Sequence, residues 1–188
     1  MVKRKLLILD VETTGLSHFK DSIVEIAAYY YENNKKKKIF NMSCKPKKGS
    51  SVEPGSIAAG IVPYTNMSYE ELYWKFIEFL DSIVNKFDKE DKLILTAYNS
   101  AFDEKFIRQF FKDNNNKFYG SYFKTKSLDV LHLAHMHMIV NNIKYDKLNL
   151  KSTCENLKVK VDEDKTHRAL YDVNLTQQVL AKVSKSFI

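Results

Sequence analysis

Residues 6–17 read LLILDVETTGLS: four apolar residues, then Asp10 and Glu12 one residue apart, then Thr13-Thr14-Gly15. A continuous apolar run of this length reads as an inner strand of a covered sheet. Side chains two apart on a strand share a face, so Asp10 and Glu12 point the same way at the strand's end. Two carboxylates placed like that repel each other unless a cation lies between them. The stretch therefore predicts both a buried strand and a cation-binding edge.

The rest of the chain arranges itself around that strand. DSIVEIAAYYYENNKKKKIFNMSCK (21–45) reads as two strands joined at Asn33-Asn34, a hairpin. SVEPGSIAAGIVPYTN (51–66) is rich in Pro and Gly and reads as loop. MSYEELYWKFIEFLDSIV (67–84) carries Leu72, Phe76, Phe79, Leu80 and Ile83 at helical spacing. Ser68 and Glu71 form a capping box at its start, and Met67 with Leu72 the hydrophobic staple.

KLILTAYN (92–99) is a second buried-strand candidate. It is followed by a helix, SAFDEKFIRQFF, with Phe102, Phe106 and Phe110 on one stripe and an Asn run at its end. SLDVLHLAHMHMIV (127–140), LKSTCENL (150–157) and HRALYDVNLTQQVLAKV (167–183) read as helices. In the last of these, Leu170, Val173, Leu180 and Val183 lie near one face. No repeat or composition break marks a boundary, so residues 1–188 are expected to form one domain. The order of elements predicts an α/β fold with a mixed central sheet flanked by helices on both faces.

Composition narrows the function classes. Among 188 residues, 44% are hydrophobic and 13% aromatic, enough for a packed globule. The first apolar run ends in an acid after four residues, too short for a signal peptide or a membrane span. Cys44 and Cys154 stand alone, which argues against a disulfide or a zinc cluster and for a reducing, cytoplasmic setting. The net charge of +7 is compatible with a polyanionic partner, although Lys35–Lys38 read most simply as solvated turn residues. No phosphate-binding Gly-rich loop, dinucleotide fingerprint or serine-hydrolase elbow is present.

Two further acids have a position worth weighing. Asp103 lies one turn into the helix after the second buried strand, and Asp172 lies on the final helix. Each alone reads as an ordinary helix acid. Strand ends and a facing helix can gather them with Asp10 and Glu12 at one sheet edge. Such hard oxygen ligands suit Mg2+ or Mn2+.

In their order and spacing, LDVETTGL, AYNSAFDEKF and HRALYDV resemble the three motifs of the DEDDh (DnaQ-like) 3'-5' exonucleases. This family includes the proofreading epsilon subunits of bacterial DNA polymerase III. DSIVEIAA and SLDVLHLA extend the resemblance to nearly the whole chain, from about Lys5 to Val183.

The resemblance implies a ribonuclease H-like fold with a sheet of about five strands, and a two-metal phosphodiesterase. Asp10, Glu12 and Asp172 would hold one ion, Asp10 would be shared with a second, and Asp103 would act on the second. His167 would be the general base, a role that a near-neutral imidazole suits. The sister group with a Tyr base has that Tyr four residues before the last acid, where this chain has Arg168.

Thr13, Thr14, Gly15 and Leu16 would meet the 3' end of the substrate, with Leu16 as an apolar wedge. Asn99 fits a substrate contact and Phe102 a stacking one, although Phe102 also fits the core. Tyr98 departs from the His common at that position in epsilon-type members.

The implied substrate is the single-stranded or frayed 3' end of DNA, with a DNA polymerase as a second partner. Only 16 residues follow Asp172, so a polymerase-binding tail is not expected. Two other readings stand beside this one: an RNA-trimming or oligoribonucleotide-degrading enzyme of the same family, and a non-catalytic nucleic-acid-binding polymerase subunit. His132, His135 and His137 read as a partly buried helix face, His18 as an exposed loop residue and Trp74 as part of a core helix.

Overall fold

The computed structural model describes residues 4–54, 65–162 and 168–185. Five strands form one sheet in the order β3-β2-β1-β4-β5: β1 Lys5–Thr13, β2 Ile23–Glu32, β3 Lys35–Ser43, β4 Ile94–Ala97 and β5 Leu128–Asp129. β1 is antiparallel to β2 and parallel to β4, so the sheet is mixed, as expected. The hairpin turns on Asn33 and Asn34, both at positive φ (49° and 64°). This is the left-handed pair that a two-residue turn needs to match strand twist, and Asn tolerates it.

Among the described residues the helices are, in chain order, α1 Tyr69–Asp81, α2 Ser100–Asp113, α3 Tyr119–Tyr122, α4 Val130–Val140, α5 Leu150–Asn156 and α6 Ala169–Ser184. The capping box predicted at Ser68 and Glu71 is present in both directions, with bonds of 3.1 and 2.6 Å. α1 stops at Asp81, short of the predicted Val84, although Ile83 and Val84 stay buried.

Strand periodicity divides β1 between two layers. Leu7, Leu9 and Val11 pack on one face against α1 and α2, among Leu72, Phe76 and Phe110. Ile8 packs on the other face with Ala169 and Val173 of α6. By the same alternation Asp10 and Glu12 lie on the α6 side. That placement, set by a two-residue period, directs both acids toward the helix that carries Asp172.

The structure corrects further expectations. SLDV does not begin a helix: Leu128 and Asp129 pair with β4 as the fifth strand, and α4 starts at Val130. Trp74 is 59% exposed, because Tyr73 and Ile77 take the core-facing positions of α1. On α6 the buried positions are Ala169, Val173, Leu175, Thr176, Val179 and Val183, with Leu170 and Leu180 packed at the margin. The Pro- and Gly-rich loop falls for the most part outside the described residues, as does His167. No helix among the described residues is long and apolar enough to cross a membrane.

Candidate active site

β1 outruns its parallel neighbour. β4 pairs only with Leu6, Leu7 and Ile8, so the last part of β1 has no strand on that side. α2 leaves the end of β4 there and brings Asp103 to the open edge. Its Oδ1 accepts the Val11 N–H at 3.2 Å, satisfying the amide between the two acids. On the sheet face, Asp10, Glu12 and Asp172 each offer a carboxylate oxygen, and these oxygens lie within 4.8 Å of one another. Acids from three separate stretches of sequence thus gather at one strand end.

Burial and mutual repulsion strain this cluster electrostatically. Burial raises Asp10 well above the carboxylate range, and Asp103, Glu12 and Asp172 add to the rise. Glu12, 8% exposed, is pushed up to about 8 by burial, then by Asp172 and Glu25, against the opposing pull of Arg168. Burial likewise raises Asp103, although hydrogen bonds from its own backbone and from Val11 pull the other way. A set of carboxylate oxygens this close, with a single guanidinium opposing, fits a hard divalent cation.

Two residues beside the cluster carry no signal of a place at the site when read in isolation. Glu25 pairs across the β1–β2 ladder with Glu12, and burial raises it too while Arg168 lowers it. Asp129, at the end of β5, accepts the N–H groups of Asn99 and Ser100 at 3.1 Å each and that of Leu131 at 3.0 Å. It therefore ties the start of α2 to the start of α4. Asn99 sits left-handed at φ 65°, which lets the chain turn sharply from β4 into α2. An Asp ahead of an apolar helical run is a legible cap signal for α4. Its hold on residues 99 and 100 depends on strand pairing and is invisible in sequence.

The predicted substrate contacts separate into three groups. Leu16, Asn99 and Phe102 line one cleft of about 220 Å³, together with His18 and Lys105. Leu16 is 78% exposed there. Phe102 packs its ring against Phe106 at 4.8 Å, so it both supports the core and lines the cleft. Thr13, Thr14 and Gly15 instead shape the loop beneath Leu16. Thr13 Oγ1 donates to Gly15 O at 2.7 Å, and Thr14 Oγ1 accepts Ser22 N–H at 2.9 Å. A Cβ on Gly15 would lie 2.5 Å from Asp21 Oδ2 and 2.8 Å from Glu53 Oε1, so only glycine fits without a shift.

Tyr98 belongs to the third group. Its hydroxyl is held by Leu148 O at 2.7 Å and Thr153 Oγ1 at 2.6 Å, which packs it toward α5 and away from the cleft lining. His18 is not the exposed loop residue expected. It is half-buried, and its ring lies 3.9 Å from Phe19 and 6.2 Å from Phe106. The other histidines join no metal-binding group among the described residues, and His135 bonds the Tyr145 hydroxyl.

Comparisons with known proteins place the chain in a family and a fold. Residues 7–180 match the family profile RNase_T, described as Exonuclease. The PolC-type DNA polymerase III of Mycoplasmopsis pulmonis is 28% identical over 179 residues, 95% of this chain and 11% of that protein. The chain thus spans about a ninth of such polymerases. Ribonuclease T of Buchnera aphidicola subsp. Baizongia pistaciae is 26% identical over 195 residues, 94% of this chain and 82% of that one. Among solved structures, E. coli exonuclease I in complex with a dT13 oligonucleotide superposes with a TM-score of 0.77 at 19% identity. That match covers 97% of this chain and 41% of exonuclease I, and it is a match of the ribonuclease H-like fold.

Proposed function

The chain belongs to the RNase_T exonuclease family, and on that premise we propose that it is a divalent-metal-dependent 3'-5' exonuclease formed as a single domain. The observation that carries this reading is the convergence of Asp10, Glu12 and Asp172, with Asp103 at the adjoining strand edge. Asp10, Glu12 and Asp172 would hold one Mg2+ or Mn2+, and Asp10 with Asp103 a second. Bound there, such ions acidify water and neutralise charge on the attacking and leaving oxygens of a phosphodiester.

The chain's own residues do the rest. Leu16 wedges against the terminal base, Phe102 packs beneath the terminal nucleotide, and Asn99 and Lys105 contact its sugar and phosphate. His167 accepts a proton from the attacking water. Water oxygen bonds to phosphorus as the P–O3' bond breaks, leaving a shortened strand with a 3' hydroxyl and a free 5'-mononucleotide. The terminal nucleotide must leave the stack to reach the acids, which favours single-stranded or frayed ends.

DNA is the first substrate proposed, from the kinship with PolC-type polymerases, and association with a polymerase is the corresponding partner proposal. Kinship with a ribonuclease T over most of its length supports RNA trimming as the second reading. Incubating 5'-labelled DNA and RNA strands with Mg2+, and with chelator, tests both. Stepwise shortening that needs the metal is expected, faster on DNA. Internal cuts, or equal cleavage in chelator, would overturn the proposal, and faster shortening of RNA would favour the second reading.

A further inference from the structure

Beyond the cleft lies a second concavity that the proposed chemistry does not use. It is an open basin of about 520 Å³ whose lining includes Phe19, Lys20, Asp21, Lys47, Lys48 and Ser51. The linings of the two meet at neighbouring residues. Leu16 and His18 line the cleft, Phe19 lines the basin, and the His18 and Phe19 rings touch at 3.9 Å between centroids.

The basin is electropositive. Its one acid, Asp21, has both carboxylate oxygens engaged, by the Ser17 N–H at 2.7 Å and by the Ser51 hydroxyl. Lys47 is paired with Asp113 at 2.8 Å. Lys20 and Lys48 are exposed and make no ion pair with a carboxylate among the described residues. Phe19 presents its ring to solvent, 74% exposed. An aromatic shelf between an apolar wedge and unpaired lysines matches the alternation of base and phosphate along a single strand.

We propose that this basin binds the single-stranded nucleic acid upstream of the 3' end, with a base stacked on Phe19 and successive phosphates on Lys20 and Lys48. The inference rests on the reading that the 3' terminus enters the Leu16 cleft, and it extends the substrate footprint past the terminal nucleotides. It gives the enzyme a grip that is independent of sequence, since every base has a face to stack and every nucleotide a phosphate.

The test is binding of a 5'-fluorescent 15-nucleotide DNA strand, followed by anisotropy across a salt series in chelator, where hydrolysis is not needed. Each phosphate contact on a single strand contributes about 0.7 to the slope of log affinity against log salt, so K20A/K48A should lower that slope by about 1.4. Phe19→Ala should weaken binding roughly ten-fold at an unchanged slope. K20R/K48R should restore the wild-type slope, which separates lost charge from lost folding.

Identical affinity and slope in wild type and variants would overturn the proposal, as would an Arg variant as weak as the Ala one, or a wild type that does not bind the strand. Strand binding that follows these substitutions in a chain that cuts nothing would contradict the nuclease reading alone. Cleavage with binding indifferent to them would contradict the basin alone.

Discussion

The Val11 N–H, between the two acids of β1, donates to Asp103 Oδ1 at 3.2 Å, so the first turn of α2 is fastened to the strand end that carries Asp10 and Glu12. The bond exists because β4 stops short and leaves the amide without a strand partner. Asp103 therefore has two separable duties, one held by geometry and one by charge.

Asp103→Asn keeps an acceptor for Val11 and removes the charge. It is expected to melt within a few degrees of wild type while losing at least ~100-fold in cleavage. Asp103→Ala leaves a buried amide unsatisfied at about 1–3 kcal/mol, and its melting temperature should fall as well. Thermal unfolding and cleavage measured on both variants check this; equal stability of the two would deny the fastening role.

Glu12 links pH to metal binding. Its folded pKa, about 8, lies above the ordinary 4.5, so the fold favours its protonated form. That contribution is complete below about 4.5 and is lost as pH rises through about 8. Chelated protein should therefore melt lower at pH 8 than at pH 5, while the stabilisation by Mn2+, which binds the ionised carboxylates, should be larger at pH 8. Glu12→Gln should raise the chelated melting temperature at pH 8 by several degrees, at about 2–4 °C per kcal/mol, and shrink the metal response. A Mn2+ shift of equal size at both pH values would contradict the assignment.

Gly15→Ala places a methyl group 2.5 Å from Asp21 Oδ2. Asp21 also receives the Ser17 N–H and the Ser51 hydroxyl, so it cannot move freely. The variant is expected to destabilise by about 1–3 kcal/mol and to raise KM by displacing Leu16. Leu16→Ala, on an exposed side chain, should raise KM several-fold with no change in melting. A cleavage time course over substrate concentration, beside a melting curve, tells the two apart.

His167→Ala should lower turnover by about 100- to 10,000-fold and leave oligonucleotide affinity in chelator unchanged. Wild-type turnover should fall as pH drops below the range in which an imidazole is neutral, because only that form accepts the water proton. Unchanged turnover in the variant would remove His167 from the base role.

What sequence disclosed was governed by local rules. The two-residue period put Asp10 and Glu12 on one face, Asn33-Asn34 announced the hairpin, and Ser68 with Glu71 announced α1. Nonlocal pairing supplied the remainder. β5 is two residues long and abuts a helix, too short to show its own period. Glu25 gains its place beside the acids only through the β1–β2 register, which sets it opposite Glu12. Tyr98 resembles a cleft residue by position, but its hydroxyl finds partners in the α5 region, 50 and 55 residues away. Trp74 misled because apolar character on α1 exceeds what one buried stripe can hold.

The central claim is that the acids at the end of β1 carry out metal-dependent removal of nucleotides from a 3' end. The most direct measurement is a time course on a 5'-labelled single strand with Mg2+, comparing wild type with Asp10→Asn purified identically. Wild type should produce a ladder shortening from the 3' end with 5'-mononucleotide released in step, and Asp10→Asn should leave the strand intact. A variant that shortens the strand as fast as wild type, or a wild type that releases no mononucleotide, would contradict it.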